Sequence, residues 1–154
     1  MDPLTQIYTQ IVESSKVDPD FDFDEWLQTV KHTKNEDGSI NVEGNVKFHR
    51  VGFTKLPCKF KKVTGSFYCY TNNLETLEGC PEWVGGTFNC GLNHLTSLVG
   101  GPEYVGGNYI CSNNSIENLQ GIAQYIEKNF DCTSNNLKSL DDLPEHIGGD
   151  VYAA

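Results

Sequence analysis

From residue 44 onward the apolar residues of the chain return every 21 positions. Blocks 44–64, 65–85, 86–106, 107–127 and 128–148 align without insertion, and a partial sixth begins at Gly149. The third position of each block holds Val46, Phe67, Phe88, Tyr109 and Phe130, and the fifth holds Phe48 followed by Cys69, Cys90, Cys111 and Cys132. Leu or Ile fills the tenth position from Leu74 onward, Leu the thirteenth, and Val or Ile the twentieth. The eighth is Val51 in the first block, then Asn72, Asn93, Asn114 and Asn135.

Two apolar residues two apart face one side of a short strand. One such strand per coil, stacked in register about 4.8 Å apart, predicts a parallel sheet. A single coil cannot cover its own apolar residues, so stacking is what makes the core. The Asn column falls where the chain leaves the strand. A buried amide there donates to one coil and accepts from a neighbour, pairing backbone groups that the turn exposes. Gly-Gly pairs at 85–86, 106–107 and 148–149 suit a bend into the next strand, and Pro81, Pro102 and Pro144 favour an extended return path.

The pattern apolar-x-Cys-x-x-Asn-x-Leu-x-x-Leu resembles the leucine-rich repeat. The short coil, with Pro in Leu140-Asp141-Asp142-Leu143-Pro144-Glu145, is similar to the bacterial effector type. Residues 95–108 resemble still more the leucine-rich-repeat-like proteins of large tailed bacteriophages. The resemblance covers roughly residues 44–154. It implies an α+β fold: a right-handed solenoid with 21-residue coils and a parallel sheet whose concave face does the binding. Effector ligases of that type carry a catalytic domain after the repeats, and no such domain is expected here.

Ahead of the repeats, residues 1–37 read as an acidic helical cap and 38–154 as the solenoid. Asp2-Pro3 is a good helix start, and Leu4, Ile7, Tyr8 and Ile11 share one face of a helix over residues 3–17. Asp18-Pro19-Asp20 ends it. A second helix is predicted over about 22–32, with Phe23, Trp26, Leu27 and Val30 on one face and Asp22, Asp24 and Glu25 favouring its dipole. Lys34–Ser39 reads as the turn into the first coil. At the other end, the partial coil leaves a strand edge suited to pairing two copies of the chain.

The formal net charge of −10 is unevenly spread. Residues 1–37 carry nine acids and three bases, and residues 65–154 carry eleven acids and two bases. Between them, residues 44–64 hold six bases and no acid: Lys47, Arg50, Lys55, Lys59, Lys61 and Lys62. Direct binding of nucleic acid or anionic lipid is therefore not expected. The basic block has two readings, a contact for an acidic partner or a counterweight to the acidic cap. No apolar stretch reaches membrane-span length and no leader pattern opens the chain, so a cytoplasmic protein is expected, in the host cytoplasm if phage-encoded.

Six cysteines in an intracellular chain are read as reduced thiols. Ligands 21 residues apart on stacked strands lie in a line, so neither a metal nor any other cofactor is expected. The histidines His32, His49, His94 and His146 form no metal or catalytic motif. No nucleophile elbow or phosphate loop is present, and no catalytic residue is assigned. An enzyme using Cys58 or Cys80 as nucleophile is the weaker alternative.

The outward positions of the strand are the fourth and sixth, with the seventh beside them. They place Tyr68, Tyr70, Asn89, Leu92, Ile110, Ser112, Asp131 and Thr133 on one face, with Lys47, His49 and Arg50 as charged contacts. Structural columns repeat, whereas this set varies. The expected function is a non-catalytic protein-interaction module whose partner is a bacterial protein, a host or defence factor that it modulates. Two other readings stand beside it. One is an acidic nucleic-acid mimic that occupies a basic groove, and the other is a virion component.

Overall fold

The structure, a computed structural model, describes residues 17–154. It is a parallel β-solenoid whose coils follow the 21-residue period, preceded by one short helix and a hairpin. The helix expected over residues 3–17 lies, but for its last residue, outside the described residues.

Each coil carries two short strands rather than the single one that the pattern predicts. The first sheet stacks β3 (Val46–Lys47), β5 (Phe67–Tyr68), β7 (Phe88–Asn89), β9 (Tyr109–Ile110), β11 (Phe130–Asp131) and β13 (Val151–Tyr152). All pair in parallel and in register, so Val46, Phe67, Phe88, Tyr109 and Phe130 lie above one another. The second sheet is built from the return segments: β4 (Phe60–Val63), β6 (Trp83–Val84), β8 (Tyr104–Val105), β10 (Tyr125–Ile126) and β12 (His146–Ile147). The twentieth-position Val and Ile residues point inward from this sheet.

Between the sheets runs one apolar column per position. Phe67, Cys69, Leu74, Leu77 and Val84 of one coil are fully buried, as are Phe88, Cys90, Leu95, Leu98 and Val105 of the next. Each buried Leu or Phe contributes about 1.5–3 kcal/mol relative to exposure. In the last coil Leu137 is half-buried and Leu140 exposed.

Two polar ladders bind coil to coil. The predicted one is the Asn column. Asn93 Nδ2 donates to the carbonyls of Cys69 and Cys90, both at 3.0 Å, and its Oδ1 accepts from Leu74 N at 2.9 Å. Asn72, Asn114 and Asn135 repeat the scheme. Donor and acceptor thus both reach the preceding coil. The second ladder runs through the second position of each block. Ser66 N donates to Asn45 Oδ1, Thr87 N to Ser66 Oγ, Asn108 N to Thr87 Oγ1, Asn129 N to Asn108 Oδ1, and Asp150 N to Asn129 Oδ1. The Gly-Gly pairs lie against this ladder. A Cβ on Gly86 would sit 2.4 Å from Ser66 Oγ, and one on Gly85 would sit 2.2 Å from the Thr64 carbonyl oxygen. These glycines admit close approach of the previous coil; none of the six has positive φ.

Of the predicted cap, the second helix, expected over about 22–32, is shorter than predicted. Helix α1 spans only Phe23–Gln28, with Asp22 Oδ1 accepting from Glu25 N at the N-cap. The chain then forms strand β1 (Lys31–Lys34), antiparallel to β2 (Ile40–Glu43), which in turn pairs with β4. Residues 31–34 extend because Lys-His-Thr-Lys has no apolar face to bury as helix, whereas β2 offers a free edge. The turn expected at 34–39 is therefore the hairpin loop, closed by Asn35 N to the Ser39 carbonyl at 2.8 Å and by Gly38 at φ 88. Trp26 of α1 and Phe21 just before it pack on the first coil: the Trp26 ring lies 4.5 Å from that of Phe48, and Phe21 meets Phe48 edge-on at 5.8 Å.

Candidate functional site

The outer face of the first sheet follows from strand alternation. Val46 and Phe48 turn inward with no exposure, so Lys47 and His49 turn out. Stacking sets Lys47 beside Tyr68, Tyr68 beside Asn89, Asn89 beside Ile110 and Ile110 beside Asp131. Tyr68 and Ile110 are thus two coils apart with Asn89 between them. The His49 ring stacks on Tyr70 at 5.2 Å and 8° between planes, and Tyr68 meets Tyr70 edge-on at 6.1 Å. Gly91 leaves no side chain between Tyr70 and Ser112 on the neighbouring coils.

Asn89 and Asp131 are occupied by local bonds. Asn89 Oδ1 accepts from Gly91 N at 2.9 Å, while Asp131 Oδ1 accepts from the backbone N (3.0 Å) and hydroxyl (2.8 Å) of Thr133. These Asx-type turns steer the chain off the strand. At this end Ile110, Asp131, Asn108, Asn129 and Tyr152 line a shallow groove of ≈ 110 Å³. The seventh column carries a constraint that its variety hides. Arg50, Thr71, Leu92, Asn113 and Ser134 all have φ between 53° and 58°. This left-handed corner is disfavoured for a bulky residue, yet Leu92 adopts it with its side chain 54% exposed.

Among the described residues the charges at this face are not ion-paired. The described residues contain two ion pairs, Lys31–Glu43 at 2.9 Å and Glu127–His146 at 3.3 Å, and neither involves the basic block. Lys59 and Lys61 do sense the cap. Asp37 has its carboxyl held below the usual range mainly by the Ser39 hydroxyl and backbone N–H, with those two lysines adding to the effect. Lys47, His49 and Arg50 are exposed on the sheet face, away from that contact.

Among the described residues no cluster of His, Cys, Asp and Glu is arranged to hold a metal. All six cysteines are free thiols. Burial raises the Cys58 thiol to about 12, although Lys55 and Lys59 line the same ≈ 390 Å³ depression. Burial also drives Cys80 well above the ordinary thiol range, the contact with Cys69 adding to it. A thiol so raised is protonated at neutral pH and a poor nucleophile.

The sequence reading did not identify the outer face of the second sheet as a surface. There the nineteenth position stacks Lys62, Trp83, Tyr104, Tyr125 and His146. Lys62 Nζ sits 4.6 Å over the Trp83 ring, and Trp83 stacks on Tyr104 at 5.1 Å and 8°. The shared column of Trp83 and Tyr104 was the legible signal. Trp83 and Tyr104 thus spend a ring face on each other, while Tyr125 stays 54% exposed. No protein-family model, curated protein or solved structure matches the chain.

Proposed function

We propose that the chain is a non-catalytic protein-interaction module whose partner docks on the outer face of the first sheet. One observation carries this reading. On a scaffold whose inner columns pack into one continuous core, Tyr68, Tyr70, His49, Leu92 and Ile110 stand outward on consecutive coils and belong to no part of that core. Tyrosines held by a stacked sheet lose little freedom when a partner covers them, which favours hot-spot contacts. The likeness of residues 95–108 to phage leucine-rich-repeat-like proteins supports a bacterial host or defence protein as the partner. It also supports kinship with that repeat family and action inside the host cell.

A pull-down from bacterial lysate with three baits tests the reading. The baits are the wild-type chain, a Tyr68→Ala, Tyr70→Ala, Ile110→Asp variant, and a Glu82→Gln, Glu103→Gln, Glu145→Gln variant. The expected result is a prey held by the wild type and the glutamine variant but lost by the first-face variant. A prey lost only on removing the carboxylates overturns the reading in favour of the acidic nucleic-acid mimic.

A further inference from the structure

The first-sheet face is not uniform along the solenoid axis. Lys47, His49 and Arg50 crowd its first coil, Tyr68 and Tyr70 its second, Leu92 its third, Ile110 its fourth and Asp131 its fifth. It therefore runs from basic through aromatic and aliphatic to acidic. The basic end stands in a chain of net charge −10, and Lys47 and Arg50 have no described carboxylate within ion-pair distance. We infer that this face binds an extended peptide segment of a partner protein that is acidic at one end and apolar beyond it, with the carboxylates at Lys47 and Arg50. The inference rests on the docking face proposed above and adds the chemistry and direction of its occupant.

The spacing sets the occupant's pattern. Lys47 and Ile110 are three rungs apart, about 14 Å at the usual strand separation. An extended peptide rises about 3.3 Å per residue, so its residue at Ile110 lies about four positions from its residue at Lys47. Desolvated apolar contacts with Tyr68, Leu92 and Ile110 supply affinity. The charges supply orientation and encounter rate, because the eleven acids of residues 65–154 repel a segment laid down the other way.

The same observations disfavour a nucleic acid strand. An extended polyanion long enough to reach beyond the second coil runs onto acidic coils. The ring faces that bases would stack upon are partly spent, since Tyr70 is stacked on His49 and Tyr68 meets it edge-on.

The test uses the full chain and fluorescence anisotropy. One labelled peptide has glutamates at one end and leucine and phenylalanine beyond; a second has lysine in place of each glutamate; an oligothymidylate is the third probe. Lys47→Glu and Arg50→Glu are both exposed changes, and the seventh column already accommodates Thr, Leu, Asn and Ser in the conformation of Arg50. Unchanged near-UV circular dichroism confirms that the double variant folds. The expected result is binding of the acidic peptide by the wild type, weakened at least about tenfold in the double variant, with the lysine peptide gaining what the acidic one loses. Equal affinity of the acidic peptide for wild type and double variant overturns the inference, as does tighter binding of oligothymidylate or no binding of the acidic peptide. If Tyr68→Ala, Tyr70→Ala abolishes peptide binding while charge reversal does not, the docking face stands and the acidic occupant falls.

Discussion

Asn93 Nδ2 lies 3.0 Å from the carbonyl oxygen of Cys69, a residue of the coil before its own. The same nitrogen serves Cys90, so one buried amide closes two carbonyls that the turn leaves without strand partners. Replacing Asn93 by Ala orphans the Leu74 N–H and leaves each carbonyl with a single amide donor, Asn72 on Cys69 and Asn114 on Cys90. The expected loss is about 1–3 kcal/mol, read as a lower urea midpoint with an unchanged slope. Asn135, only half-buried in the last coil, should cost clearly less when changed the same way, because water reaches the groups it leaves behind.

Tyr109 holds the third position where the coils on either side have Phe, and its hydroxyl is buried with no hydrogen-bond partner among the described residues. Tyr109→Phe removes an unsatisfied polar atom and keeps the ring that packs on Phe88 and Phe130. Stability should rise by about 1 kcal/mol, seen as a higher melting temperature.

The thiols give a pH signature. An exposed thiol ionises near 9.0, whereas burial holds Cys58 at about 12 and raises Cys80, Cys90, Cys111 and Cys132. Below pH 9 the folded and unfolded chains bind these protons equally. Above it the unfolded chain releases protons that the folded one keeps, so stability falls as pH climbs from 9 toward 12. Urea midpoints measured across that range check the slope. At neutral pH a thiol reagent should find no fast-reacting group in the native protein and all six cysteines once it is unfolded.

Trp26 joins the helix to the first coil, its ring 4.5 Å from Phe48 and 6.2 Å from Phe60. Trp26→Ala should cost about 2–3 kcal/mol. In a stacked repeat the effect is local. Hydrogen exchange should therefore quicken at Val42, Val46 and Phe48 while Phe130 and Cys132 keep their protection.

Much of the fold was legible because the repeat has no insertions: Phe67, Cys69, Leu74, Leu77 and Val84 could be read as inward from their recurrence alone. The second sheet was not, since a pair such as Trp83–Val84 is too short to show alternation and one apolar residue per return segment fits several conformations. The second-position ladder stayed hidden for another reason. Asn45, Ser66, Thr87 and Asn108 differ in type and share only an acceptor oxygen. Beyond Gln28 the helix prediction failed because Val30 continued the apolar spacing, while the pull on Lys31–Lys34 came from a strand edge ten residues later. On the candidate face, the outward direction of Tyr68 and Tyr70 was readable. The commitment of Asn89 and Asp131 to their own turns was not, because such bonds depend on how the chain leaves the strand.

In-register stacking also makes length a stepwise quantity. Coils 65–85 and 86–106 present the same glycine, Asn and apolar contacts to their neighbours above and below. A duplicated coil would slot in as a spare vertebra, moving everything after it by one rung of about 4.8 Å and leaving each joint chemically unaltered. The distance between the basic and acidic ends of the face can thus change by copying or deleting DNA, without new packing being invented.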